Sequence, residues 1–389
     1  MATYDVLVIG AGNLGLWTAY HLARQGVKRI AVCERAWAGF GATTRSAGMV
    51  RQQGGSRTAS LLGRDARTLY LQLGQELGLD SGFTELGYYI LAETAEEKAN
   101  YQELVAIRRE LGIENEWIDA EEGRRRFPAV NWDYFIGATY APTDGYVHPL
   151  TVARNITYGV LRTAAIDLHE MTAVEAIGWS GGRYLARTTR GVFEAERVVD
   201  AGGPRGARTI GAMVDVNVPV SATRHQVVTY PTAPPELGDR FPLLFTVANV
   251  FYIRPEEQGV LLGMSNPRED ADSSNSYQVE FDVGFYEDLR PVWEARVPSL
   301  AGRRVSRAWA ASIDYTPDHL PIIDEPRDGF YVLAAGGHGM MWGPALGMKM
   351  AELIVRGAVS DLPDEDIKLD RFTVPRARKD AIALPFPAR

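Results

Sequence analysis

The sequence predicts a mixed α/β and α+β fold: a parallel-sheet half interleaved with a mixed-sheet half. Three observations predict it. An apolar run, Val6-Leu7-Val8-Ile9, ends at Gly10-Ala11-Gly12-Asn13-Leu14-Gly15, and an acid, Glu34, follows about twenty residues on. Strand-then-glycine junctions recur at Ala201-Gly202-Gly203 and at Ala335-Gly336-Gly337. Between them, residues from about 216 to 306 carry the alternation expected of half-buried strands. The expected division is 1–86, 142–215 and 306–389 for the first half, and 87–141 and 216–305 for the second.

The first stretch reads as a Rossmann-like strand, glycine turn, helix and second strand. Val6 to Ile9 suit a parallel strand covered on both faces. Gly10 permits the tight turn, Gly12 lets backbone approach a pyrophosphate, and Gly15 lets the helix lie close to the strand. The start of a helix over 13–24 offers free N–H groups to phosphates, and Glu34, after a strand over 29–33, suits a ribose hydroxyl pair. A glycine triplet alone also fits a tight turn in some other parallel sheet. The strand before it, the helix after it and the acid in register favour a dinucleotide site.

Downstream, residues 39–55 form a glycine- and hydroxyl-rich loop. A helix is expected over 58–77 with Leu62, Ala66, Leu69, Leu73 and Leu77 as its apolar stripe, then a strand over 87–92 and an amphipathic helix over 96–111. An acidic helix start lies at 119–122. Residues 141–149 read as a turn-rich bridge into a helix over 150–164, followed by short strands over 172–177, 184–188 and 196–200. The second half contributes a strand over 225–230, a hairpin of 250–254 with 260–264, and helical residues over 280–295. A strand over 330–335 and a helix over 345–356 close the pattern.

A net charge of -8 argues against nucleic acid as a partner, and no apolar run approaches the length of a membrane span. Cys33 is the single cysteine, so an intramolecular disulfide and a zinc site built on several thiolates are excluded. With the chain entering its first strand almost at once, these features lead us to expect a reduced, cytoplasmic setting without a secretory leader. Cys33 itself lies in an apolar strand and reads as a small buried hydrophobe.

The motifs together resemble the D-amino-acid-oxidase superfamily of FAD-dependent amine oxidoreductases, most of all the beta subunits of sarcosine oxidase and of L-proline dehydrogenase. The resemblance is carried end to end by the N-terminal fingerprint with Glu34, the loop 41–48, Arg51-Gln52-Gln53, Pro142-Thr143-Asp144-Gly145, Arg224-His225-Gln226, the segment 316–321 and the segment 337–347. It implies a Rossmann-like FAD-binding domain interleaved with a mixed-sheet substrate domain. It also implies FAD held by Glu34 at the ribose, by Ala42, Thr43 and Thr44 along the pyrophosphate and ribityl chain, by the Val174 backbone at the adenine, and by Ala201 and Gly202. Gly337, His338, Gly339, Met340 and Met341 would line the pyrimidine edge of the flavin. Asn13, Leu14, Arg35, Ala47, Gly48 and Met49 complete the expected cofactor contacts.

The resemblance further implies oxidation of a secondary amine or N-alkyl amino acid, sarcosine, proline or related, to an imine, with hydride passing to flavin N5. Arg51 would take the substrate carboxylate through its two-pronged guanidinium, and Tyr252 would face the substrate. His338 would sit at the flavin edge, where it bonds the cofactor, tunes a proton or serves only structure. His225 and the Met340-Met341-Trp342 cluster read as structural. The chain also departs from its relatives. It has no cysteine in the C-terminal half, and Arg45 stands where dimethylglycine dehydrogenases carry a flavin-linked histidine, so FAD is expected to be non-covalent. Leu261 replaces an oxygen-activating lysine, Met341 a second cationic clamp, and Ile313 a carboxylate-binding arginine. Pro149, next to His148, replaces an FMN-bearing histidine, leaving a second flavin at a subunit contact open. Oxidation of a 2-hydroxy acid or alcohol on the same scaffold stays open, as does a role as one subunit of a larger amine dehydrogenase. So does the electron acceptor, oxygen or another.

Overall fold

The computed structural model describes residues 2–249, 251–265 and 280–373. Of the elements named above, the expected hairpin residue Val250 lies outside the described residues, and the helix expected over 280–295 spans Val283–Arg296, with Asp282 as its N-cap.

The first sheet runs in the order Val174–Ser180, Arg183–Thr188, Gly191–Asp200, Ala2–Ile9, Ile30–Cys33, Ile166–His169. Phe330–Ala334 pairs parallel with the end of Gly191–Asp200, with Val198 opposite Phe330. Ala2–Ile9 is parallel to both of its neighbours, so the C-terminal ends of these strands, at Ile9, Cys33 and Asp200, share one edge. The fully buried run at Val6 to Val8 divides its side chains by the strand period. Val6 and Val8 join one core with Trp17, Leu62 and Met350, while Leu7 and Ile9 join another with Ile177, Ala207 and Ile210. Both faces are therefore covered, as the unbroken apolar run anticipated.

The second sheet has eight strands, in the order Arg307–Tyr315, Ser221–Tyr230, Gly259–Ser265, Phe251–Glu256, Leu243–Thr246, Tyr88–Ala92, Gly137–Ala141, Glu116–Asp119. Its pairings are antiparallel except that of Leu243–Thr246 with Tyr88–Ala92. Ile90, Val227, Phe245, Tyr252 and Leu261 face the first core, and their alternates Leu91, Val228, Leu244, Ile253 and Leu262 face a third core of their own. A small third sheet joins Met49–Val50, Gly145–Val147 and Phe83–Glu85.

Several expectations shift. Arg307–Tyr315 lies in the second sheet, past the boundary expected at 306, because it pairs along its whole length with Ser221–Tyr230. The expected bridge 141–149 contains a strand, Gly145–Val147, whose two-sided pairing supplies order that its turn-forming composition hides. The strand expected over 196–200 spans Gly191–Asp200, its exposed start paired with Arg183–Thr188. The last helix begins at Gly339, not 345, and carries Pro344 inside it. A proline there cannot donate to the carbonyl four residues back. That carbonyl, on Met340, instead accepts the Tyr70 hydroxyl at 2.7 Å, so the helix continues through the proline.

Among the described residues, no helix is long and apolar enough to cross a membrane, and no cluster of His, Cys, Asp and Glu could hold a metal ion. Cys33 is buried, and burial pushes its thiol up to about 12.

Candidate active site

One cavity opens at the shared strand edge and extends to the second sheet. Including the solvent at its mouth it encloses about 1520 Å³. Its walls run from Glu34 and Arg35, past Gly12, Thr43 and Ala47, to Arg51, Tyr252 and His338.

Its first half is built from backbone. Gly10, at φ +108°, brings the turn against Ala201, whose carbonyl oxygen would lie 2.5 Å from a Cβ at that position. Gly15 makes the same close approach behind the wall, where a Cβ would meet the Gly10 carbonyl oxygen at 1.9 Å. Three helices start at this cavity: Asn13–Arg24, Gly203–Ala212 and Gly339–Arg356. None is capped by the side chain of its own N-cap residue and none has an acid in its first turn. Uncapped helix starts present free N–H groups and partial positive charge, so together they suit an elongated anionic ligand. Glu34 accepts the Ala11 and Ala36 N–H groups, each at 2.9 Å, which fixes its carboxylate at the end of its strand. Thr43 accepts the Asn13 N–H at 2.9 Å and so ties the glycine-rich loop to the first helix.

The second half is built from side chains. Arg51 is 3% exposed and lies beside Phe245, 5.4 Å from its ring centroid. Tyr88 hydrogen-bonds to Arg51 and is fully buried, and burial holds its hydroxyl far above its usual proton affinity. Tyr252 lies opposite Gly263, where a Cβ would strike the ring at 2.0 Å; the glycine makes room for it. His225 meets the Ser265 hydroxyl at 2.7 Å through Nδ1 and the Tyr315 hydroxyl at 3.0 Å through Nε2. Burial lowers its pKa to about 3.

His338 precedes the last helix, its ring stacked on Trp342 at 4.0 Å. Its Nδ1 lies 3.1 Å from the Gly336 carbonyl oxygen, which can only accept. Nδ1 therefore carries the proton and Nε2 is an acceptor. Burial first, and the nearby Arg51 charge second, hold His338 well below its usual pKa. Asp314 is also on the wall; it accepts the Ala335 N–H at 2.7 Å, and burial raises it to about 6.

The cavity brings together Gly10, Gly12, Asn13, Leu14, Glu34, Arg35, Ala42, Thr43, Ala47, Met49, Arg51, Ala201, Gly202, Tyr252, Gly337, His338, Gly339, Met340 and Met341. Gly15, Thr44, Gly48 and Val174 lie off its wall. The Thr44 hydroxyl donates to the Gly39 carbonyl, and Gly48 is packed against the Val147 carbonyl, so both shape the loop from behind. Val174 is registered against Thr188 in the outer antiparallel ladder. His225, read as structural, lines the cavity, as do the unanticipated Tyr88, Phe245, Asp314 and Tyr315. The alternation of the second-sheet strands held the available signal for Phe245. Asp200, fully buried beneath the second glycine junction, was also missed. Burial raises it to about 8, and it accepts the Gly202 N–H at 3.0 Å.

The family model described as DAO, FAD dependent oxidoreductase, matches residues 5–353. The chain belongs to this family of FAD dependent oxidoreductases, and FAD is the family's cofactor. The cavity fits that cofactor, with an anchored acid at one end, three uncapped helix starts along it and a glycine junction between. The chain is 25% identical to human mitochondrial dimethylglycine dehydrogenase over 94% of its own length, and spans 44% of that relative. It is 26% identical to sarcosine oxidase subunit beta of Rhodobacter capsulatus, covering 91% of this chain and 85% of that one. In fold it is similar to L-proline dehydrogenase from P. horikoshii, with a TM-score of 0.85 at 24% identity, covering 96% and 98% of the two chains.

Proposed function

We propose that the chain oxidises a small secondary amine or N-alkyl amino acid to an imine, which water then hydrolyses or which stays cyclic. The carrying observation is Arg51, 3% exposed on a wall that also carries Tyr88, Phe245, Tyr252, Tyr315 and His338. Dimethylglycine, sarcosine and L-proline, in the names of the three relatives above, share a carboxylate beside an alkylated nitrogen. Arg51 suits the first group, by two parallel hydrogen bonds. Phe245, Tyr252 and Tyr315 suit the second and exclude water from it.

Bound FAD supplies the two-electron sink for the substrate C–H bond. Glu34 would hold its ribose end, the starts of the Asn13–Arg24 and Gly203–Ala212 helices would hold its phosphates, and the start of Gly339–Arg356 would stabilise negative charge at its far end. His338 is neutral with Nε2 as an acceptor, which suits a hydrogen bond from the substrate N–H; its lowered pKa makes it a poor proton acceptor at neutral pH. Binding is non-covalent. The sole cysteine is buried, and Arg45 is turned onto the Phe40 and Gly41 carbonyls.

Anaerobic addition of amines, amino acids and 2-hydroxy acids to the flavin-loaded protein tests this reading. Bleaching of the visible flavin band by N-alkyl amino acids is expected; bleaching by hydroxy acids alone would overturn it. Acid precipitation should leave the flavin in the supernatant. The similarity to most of a sarcosine oxidase subunit favours a second reading of the context, in which electrons leave through partner subunits. Turnover with an artificial acceptor but not with oxygen would support that reading.

A further inference from the structure

We propose that Arg108 and Asn115, outside the cavity wall, are positioning residues that set Arg51 for carboxylate recognition through Gln53. The proposal rests on the reading of Arg51 as the partner of the substrate carboxylate.

Arg51 opens an irregular stretch between the two-residue strand Met49–Val50 and the helix Arg57–Leu77. Such a segment is ordinarily exposed and mobile. Here it is buried: Arg51, Gln52 and Gln53 are 3%, 6% and 0% exposed. Its backbone polar groups are consequently taken up by buried side chains from two places outside the segment. Asp144, in the turn before Gly145–Val147, accepts the Gln52 N–H at 2.8 Å and the Gln53 N–H at 3.4 Å, and also the Gln52 side-chain amide at 3.1 Å. Arg108, in the last turn of Ala95–Glu110, donates to the Gly54 carbonyl through Nε at 3.2 Å and Nη2 at 2.7 Å. Its Nη1 reaches Asn115 Oδ1 at 3.0 Å.

The chain then closes on Gln53. Asn115 Nδ2 donates to Gln53 Oε1 at 2.8 Å and to the Tyr140 carbonyl at 2.9 Å. Gln53 Nε2 donates to the Tyr88 carbonyl at 2.9 Å. The Gln53 carbonyl accepts Arg51 Nη1 at 2.6 Å, and the Tyr88 hydroxyl also bonds to Arg51. Gln53 is thus held at its N–H, at both side-chain atoms and, through Gly54, just beyond its carbonyl. That carbonyl is the one that orients the guanidinium. A two-pronged carboxylate contact tolerates about 10–20° of misalignment, so freedom in Gln53 would be felt directly at Arg51. Burying the Arg108 cation costs solvation, and its fork lies on two acceptors that bracket Gln53.

The test uses the FAD-loaded protein and four substitutions: Arg108→Met, Arg108→Lys, Asn115→Leu and Gln53→Leu, with Arg51→Ala as reference. Three quantities are read: kcat/KM for an N-alkyl amino acid, kcat/KM for its carboxamide, and the Kd of acetate from the shift of the flavin band. The expected result is a loss of about tenfold for the amino acid and a matching weakening of acetate, with the carboxamide within about twofold. Arg108→Lys, still able to donate to Gly54, should fall between Arg108→Met and the parent. Equal losses on both substrates would mean general damage and overturn the proposal, as would no loss on either. If Arg51→Ala itself does not separate acid from amide, the Arg51 reading fails. If it separates them while the Arg108 and Asn115 variants do not, only the positioning role fails. Should Arg108→Met not fold, Asn115→Leu and Gln53→Leu decide.

Discussion

The two ends of the cavity are made of different material. At the Glu34 end the walls are backbone: glycine turns, helix starts and one anchored acid. At the Arg51 end they are side chains from strands far apart in sequence, Tyr88, His225, Phe245, Tyr252 and Tyr315. A ligand gripped by backbone can be kept while side chains change around it, so the first end suits a fixed cofactor. The second can be re-cut one side chain at a time, which suits the part of the site that selects the substrate.

Substitutions at the two ends should therefore fail differently. The largest effect is expected of Gly10→Ala, where a Cβ would press on the Ala201 carbonyl at a φ that alanine resists. The protein should emerge without flavin, seen as a colourless preparation; a yellow, active variant would break the comparison. Arg51→Ala should keep its flavin and lose about 2–4 kcal/mol of transition-state binding for carboxylated substrates, read from kcat/KM.

His225 sharpens the comparison through pH. Its folded pKa of about 3 lies below the ordinary 6.5, so the folded state binds fewer protons. The stability this contributes is present above about 6.5 and is lost as pH falls from there toward 3, by about 1.4 kcal/mol per pH unit. Melting temperature should drop between pH 7 and pH 5, and His225→Gln should flatten that slope. The smallest effect is expected of Tyr70→Phe, which strips the Met340 carbonyl of its donor beside Pro344. About 1–2 kcal/mol of stability should be lost in denaturant melts, with substrate preference unchanged.

The same contrast explains what could be read from sequence. The Gly10 to Gly15 turn, Glu34 and the 13–24 helix were legible because glycine spacing and apolar period are local signals. Arg51 and Tyr252 were singled out only through resemblance. Tyr88, Phe245 and Tyr315 went unnoticed because their convergence depends on strand order, with Leu243–Thr246 set beside Tyr88–Ala92 across some 150 residues. The first residues of the last helix were misjudged for a related reason. Pro344 argues locally for a break, and the hydroxyl that removes the penalty arrives from residue 70.

The lone thiol at Cys33 has a practical consequence. It is buried at the end of Ile30–Cys33, a strand paired on both sides, and stays protonated in any ordinary buffer, so reagents that seek thiolates will pass it by. A single cysteine engineered at the surface could then carry a fluorophore or spin label without first removing the native one. Whether the distance between the two sheets changes during turnover would then be measurable on otherwise unaltered protein.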